Sequence, residues 1–364
     1  MSRVVVIILH AVSESNAGPL QRAFAEDRRH NAEQQARGFA ALGATVKIIE
    51  TRRSGPPFGE RLLGLARDHG LARSGDGAGL VVMGSGSFPL AQRRDRATFV
   101  AAAAGSVGSQ TTGDPPAMLT NNRYSADILA IPRGCDLEGI PDLAADNGVP
   151  RWAADHGIEV RDLRDRWRLQ VDLDSPLDVI LAASTAAGSA TDDDRPGSGV
   201  RSVLERARAV GADPNAELLV AGRASSTTLR WVERNTASRT RALIEERGMK
   251  TAPPGQHPSR SALGLLLDVD GPTALGAIIE KLADAAVVDT RVLMAHQFGR
   301  AEASWPGTED RFASDLLLPD QIRDPWLRAL TASAAGSRVP ILLGGHTLVG
   351  PGLRLALRSR RPNS

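Results

Sequence analysis

Apolar residues in the first half of the chain fall into short unbroken runs. Between the runs lie longer stretches where they recur every three or four positions. Positions 4–9, 45–49 and 79–83 have the length and Val/Ile content of buried parallel strands. The stretch 19–42 carries Leu20, Phe24, Ala32, Ala36 and Phe39 near helical spacing and stops at Gly43. Further helices are predicted over 57–66, through the alanines at 101–104, and over 176–187; short strands are predicted at 127–131 and 158–160. Such alternation implies an α/β fold with a doubly wound, mostly parallel sheet. From Gly188 the segment G-S-A-T-D-D-D-R-P-G-S-G has no apolar periodicity. It predicts a first domain over 1–188, a linker over 189–199 and a second, smaller α/β domain over 200–364. In that second domain, strands are predicted at 218–221, 263–269 and 339–343, with helices over 225–248 and 272–286. No internal repeat is visible.

Composition narrows the function classes. A length of 364 residues suits two domains, and 42% hydrophobic residues suffice for proper cores built mainly from aliphatic side chains, since aromatics make up only 4%. The formal charge of +2 is nearly balanced and no long basic run occurs, so a nucleic-acid surface is not expected. Cys135 is the sole cysteine, which excludes an internal disulfide and suits a reducing compartment. The six-residue apolar run near the N-terminus is a strand pattern without a cleavage signature, and no run reaches membrane-spanning length. A soluble, cytoplasmic protein with no membrane partner is the expectation.

The densest chemistry lies in 170–183, Q-V-D-L-D-S-P-L-D-V-I-L-A-A. Asp172 and Asp174 alternate along an expected strand that ends at Ser175-Pro176, and Asp178 sits in the first turn of the helix that follows. Carboxylates at the carboxyl end of a strand suit Mg²⁺ held against nucleotide phosphates. The alternative account makes Asp178 a helix cap and leaves the other two solvated. Gly84, Ser85, Gly86 and Ser87 follow the third strand, as an anion nest or as a plain turn. Asn121, Asn122 and Arg123 concentrate hydrogen-bonding groups before a strand, and His10 closes the first one.

Two segments carry a resemblance: L-V-V-M-G-S-G-S-F-P-L-A over 80–91 and D-L-D-S-P-L-D-V over 172–179. With them the first half resembles the GT-A type nucleotidyltransferases, nearest the molybdenum-cofactor and 2-phospholactate guanylyltransferases. The resemblance implies a GT-A-like domain in which Asp172 and Asp174 hold Mg²⁺. It also implies that His10, the 84–87 loop and residues 121–123 contact a nucleoside triphosphate or nucleotide sugar and a small-molecule acceptor. Two departures stand out: strand one enters H-A-V-S-E-S-N-A-G-P-L instead of a basic Gly-rich loop, and Ser87 stands where the family has a metal-holding acid. A non-catalytic nucleotide-binding or regulatory protein therefore remains an open reading. A third reading places a hydrolase-like site in the second half around Asp289, His296, Asp315 and His346, with Asp310 nearby. The arginines between 223 and 247, interleaved with Glu233, Glu245 and Glu246, read as one solvated helical face.

Overall fold

From Val4 to Ile8 every residue of β1 (Val4–Ala11) is buried, because neighbours along the strand enter different cores. Val5 and Ile7 pack with Leu62, Leu80, Val82 and Leu129 on one face of the sheet; Val4, Val6 and Ile8 pack with Phe39, Val81, Phe88 and Phe99 on the other. A sheet covered on both sides explains why the run is apolar throughout and not alternating. The structure, a computed structural model, describes residues 4–52, 55–68, 78–105, 117–140, 143, 146–184, 197–247 and 258–358. Chain packing defines two compact units, the first being Met1–Asn16 with Arg22–Leu173 and the second Ala17–Gln21 with Asp174–Ser364. The division falls at 173/174, and the expected linker lies, as far as residue 196, outside the described residues.

The first unit follows β1 with α1 (Pro19–Ala40, whose residues 19–21 count with the second unit), β2 (Thr45–Thr51), α2 (Phe58–Asp68), β3 (Gly79–Gly84) and α3 (Arg93–Ala103). Then come β4 (Met118–Thr120), β5 (Ile128–Ile131), α4 (Val149–Asp155) and β6 (Val160–Asp162). The sheet order is β2-β1-β3-β5-β4-β6, with β5 antiparallel to both neighbours and the remaining pairs parallel. Residues 118–120, for which no strand was expected, pair with β5 and β6. Three residues are too few to show a period.

The second unit runs through α5 (Pro176–Ala183), α6 (Ser198–Ala212), β7 (Glu217–Gly222), α7 (Ser226–Asn235), β8 (Arg239–Ile244), α8 (Ala262–Asp270) and α9 (Leu275–Leu282). It continues with β9 (Ala285–Asp289), α10 (Thr290–Phe298), α11 (Thr308–Asp315), α12 (Pro325–Ala335), β10 (Ile341–Gly344), α13 (His346–Val349) and α14 (Leu353–Leu357). Its sheet, ordered β10-β9-β7-β8, is parallel throughout. Three expectations are corrected here. The single helix over 225–248 is a helix plus the edge strand β8, so its arginines do not share one helical face. The strand over 263–269 is α8: Ser261 caps it by accepting from the Gly264 N–H at 3.2 Å, and Gly271 (φ +80°) ends it. Its apolar run is continuous because Leu263 and Leu267 face the core while Leu265, Leu266 and Val269 are exposed. The helix over 272–286 is shorter, and its expected end, 285–286, belongs to β9. No single helix among the described residues is long and apolar enough to cross a membrane.

Candidate functional site

In the first unit β1 leads through α1 to β2 on one side, while β3 leads through α3 to β4 on the other. Their carboxyl ends thus diverge, which opens the crevice where α/β sheets bind ligands. His10 and Ser85 lie at those ends, with His10 Nδ1 3.2 Å from Ser85 Oγ, and both are buried. Burial lowers the His10 pKa, and the cations Arg29 and Arg28 lower it further, so the ring is neutral near pH 7.

The loop after β3 is clamped from α1. Asn31 Nδ2 donates to the carbonyls of Ser85 (2.8 Å) and Ser87 (2.9 Å), and Gln35 Nε2 donates to the Phe88 carbonyl (2.7 Å). Arg96 Nε completes the clamp by donating to Gln35 Oε1 at 2.9 Å. Phe88 has φ +64°, held there by this clamp and by its buried ring against Phe99, 5.3 Å between centroids. Of the two readings of this loop, anion nest or plain turn, the backbone hydrogen bonds match the turn. The N–H groups of Gly84, Ser85 and Ser87 donate to the carbonyls of Asp127, Leu9 and Gly84.

Asp172 lies against this loop through an antiparallel bridge to Ser87, and Leu173 N–H donates to the Gly86 carbonyl at 3.1 Å. No regular strand forms around it, contrary to expectation. A Cβ on Gly86 would stand 3.0 Å from Asp172 Oδ1 and 3.1 Å from Arg28 Nε, so only glycine allows the carboxylate and guanidinium to close over the loop. Arg28 Nε is buried without a hydrogen-bond partner. Asp174 is exposed, and its N–H donates to Asp178 Oδ2.

The other expected contacts are paired within the protein. Asn121 Nδ2 donates to Asp127 Oδ2 (2.7 Å) and the Leu169 carbonyl (3.0 Å), while its Oδ1 accepts from Asp127 N–H. Asn122 bonds Gln170 and Tyr124 N–H, and Arg123 pairs with Asp162 at 3.1 Å. These residues shape the loop and are committed to protein partners. The described residues contain no group of three His, Cys, Asp or Glu side chains able to hold a metal ion. Ser87 Oγ donates to the Asp127 carbonyl (3.0 Å) where an acid would be needed. The residues present therefore do not fit a Mg²⁺ cage of the expected kind.

In the second unit the strand-end charges gather. Arg223, one residue past β7, sends Nε (2.7 Å) and Nη2 (3.1 Å) to Asp289 at the end of β9. Asp289 also caps α10 by accepting from Arg291 N–H. Arg291 in turn forms a two-pronged pair with Asp315 at 2.5 and 2.6 Å and donates to Thr290 Oγ1. Burial draws the Arg291 pKa down, but the Asp315 carboxylate more than offsets this and holds the guanidinium charged. Asp289 and Asp315 are thereby brought together through Arg291. His346 follows β10, whose Gly344 pairs with Asp289. His296 stands apart, its Nδ1 accepting from Ser261 N–H and its Nε2 2.9 Å from Asp268. Asp310 accepts from Asp324 N–H.

Asp178 is the cap expected from sequence, accepting on Oδ2 from Asp174 N–H, Ser175 N–H and Ser175 Oγ. It is also fully buried; desolvation, then Asp174 and Asp315, push its pKa well above the usual carboxylate range. A carboxyl whose folded pKa exceeds its unfolded value binds more protons when folded, so stability falls as pH rises from about 3.9 toward the folded pKa. Asp178→Asn keeps an acceptor oxygen for the cap and removes the charge. It is expected to flatten that decline and raise the urea midpoint at neutral pH. A variant less stable than wild type at neutral pH would show that the carboxylate is ionised and favourable there.

Arg28, Asn31 and Gln35 were not anticipated, although a signal existed. Asn31 and Gln35 interrupt the apolar stripe of α1 at a spacing of one turn, which marks buried polar side chains with partners across the core. No family model, curated protein or solved structure gives a match to this chain.

Proposed function

We propose that the first unit is a nucleotide-binding domain of the GT-A nucleotidyltransferase type. It would take a nucleoside triphosphate or nucleotide sugar at the carboxyl ends of β1 and β3. The observation that carries the reading is the Ser87–Asp172 bridge, which lays the D-L-D-S-P segment on the loop after the third strand, the two places that carry the resemblance. A largely parallel sheet with one antiparallel strand, β5, supports it further. In place of a basic Gly-rich loop, Arg28 reaches over Gly84 and Gly86 from α1, and its guanidinium supplies the charge for a phosphate. Asp172 is an acceptor for ribose hydroxyls or base N–H groups, a role that needs no metal.

A thermal-shift series of the full chain with nucleoside triphosphates and nucleotide sugars, with and without Mg²⁺, tests this reading. One nucleotide is expected to raise the melting temperature without Mg²⁺, and Arg28→Ala should weaken it about tenfold, the loss of one charge-assisted contact. No shift with any of them overturns the reading. A shift that requires Mg²⁺, accompanied by pyrophosphate release and lost in Asp172→Ala, would assign transferase chemistry to Asp172 and Asp174 instead.

A further inference from the structure

Helix α8 has two apolar faces, and only one of them is packed. Leu263, Gly264 and Leu267 face the core, and Gly264 lies so close that a Cβ there would stand 2.6 Å from the His296 ring of α10. Such close packing keeps the helix from turning about its axis to hide the other face. That face consists of Ala262, Leu265, Leu266 and Val269, spaced i, i+3, i+4 and i+7. All four are exposed, Val269 by 82%. Five large hydrophobic side chains are exposed among the described residues, and three of them belong to this nine-residue helix. The stripe is therefore a patch and not the scatter found on any protein surface.

We propose that this stripe docks against the same stripe of a second copy of the chain, with the two α8 helices antiparallel about a two-fold axis. Symmetry and charge identify the occupant. The spacing 262, 265, 266, 269 reads the same from either end, so an axis between Leu265 and Leu266 sets Ala262 against the partner's Val269. The two ends carry opposite charges. Arg260 stands just before the helix and Asp270 at its last position, both exposed and neither in an ion pair among the described residues. The antiparallel arrangement brings Arg260 to the partner's Asp270 and each helix N-terminus to the other's C-terminus, whereas a parallel pairing sets like charges side by side. Asp268, on the flank of the stripe, is engaged by His296 at 2.9 Å. The three large side chains offer roughly 300 Å² per copy, under half of the ~800 Å² per partner of a stable interface, so the dimer is weak and concentration-dependent.

Sedimentation velocity of the full chain from about 5 to 500 µM tests this. Wild type is expected to pass from monomer towards dimer within that range. Val269→Asp, at the most exposed position of the stripe, should weaken association about tenfold or more, because dimer formation would bury an unpaired charge. Asp270→Lys sets two cations together at each end and should weaken it about fivefold. Adding Arg260→Glu to Asp270→Lys reverses both signs and should return association to near the wild-type level. That rescue distinguishes an antiparallel pair from damage to the fold, which a second substitution would not repair. All three positions are exposed, so each variant should melt with wild type at the lowest concentration. A chain that stays monomeric at the highest concentration overturns the dimer. Association untouched by Val269→Asp puts the contact elsewhere and overturns it as well. No effect of Asp270→Lys, or no rescue by Arg260→Glu, overturns the antiparallel arrangement.

Discussion

Arg291→Met is expected to lower the stability of the protein by about 3–5 kcal/mol at neutral pH, the range found when one partner of a buried pair is removed. Asp315 is fully buried, and both of its oxygens are held by Arg291. Without the guanidinium the carboxylate must ionise unpaired in a dry setting or take up a proton, and either is unfavourable. The deficit should therefore depend on pH. In the variant the folded Asp315 pKa rises far above its unfolded value, so the penalty is greatest at neutral pH and shrinks as pH falls toward about 4. Replacing both partners, as in Arg291→Met with Asp315→Leu, should recover most of the loss, because hydrophobic side chains often substitute for a buried pair without penalty. Urea unfolding of wild type, single and double variants at two pH values checks all three statements. A single-variant loss under about 1 kcal/mol, or a double variant no better than the single, would mean the pair does not form as described.

Gly222→Ala should be nearly as damaging, by about 3 kcal/mol or more, for a different reason. Gly222 ends β7 with φ +126°, a conformation that L side chains rarely adopt. An added Cβ would also overlap the Cβ of Asp289, which the sheet register places beside the β7 terminus. The two causes can be separated. Gly299, at the end of α10, has φ +87° and open space where its Cβ would go. Gly299→Ala should accordingly lose only about 1–2 kcal/mol, the backbone share alone. Equal losses at the two positions would show that the close approach of β7 and β9 is not what fixes the glycine.

Much of the fold was legible from the sequence. The run in β1, the stripe and glycine stop of α1, and the turn at Ser175-Pro176 each encode structure locally. Where reading failed, the missing information was a local cap in one place and tertiary pairing in another. Residues 263–269 suit a strand or a helix equally by pattern; the Ser261 cap and the Gly271 stop decide for helix. Arg239–Ile244 became a strand because β7 offered a free edge, which no local signal announces. The candidate site divides in the same way. His10, Ser85, Ser87 and Asp172 sit at strand or loop ends that sequence spacing locates, and the fold brings them to one edge. Asn121 and Arg123 looked like ligand contacts because polar groups cluster there, yet their partners are Asp127, just before β5, and Asp162, at the end of β6. Residue type suggests which groups hydrogen-bond, whereas only the fold reveals whether the partner is already supplied.

The second unit includes five residues made long before the rest of it. Ala17–Gln21 belong to it, and within it the Leu20 and Gln21 N–H groups donate to Glu309 at 2.8 and 3.0 Å, across 289 and 288 residues of chain. During synthesis this strip leaves the ribosome while almost all of its unit is still untranslated, and it must wait for Glu309 before its backbone donors are satisfied. Domains generally fold as units in the order they emerge; here the second unit can close only after Glu309 has been made. A fragment cut at 173/174 would emerge without its first piece, so expressing the two halves separately, or transplanting the C-terminal half onto another protein, removes a part of the unit that no boundary drawn in the middle of the chain can retain.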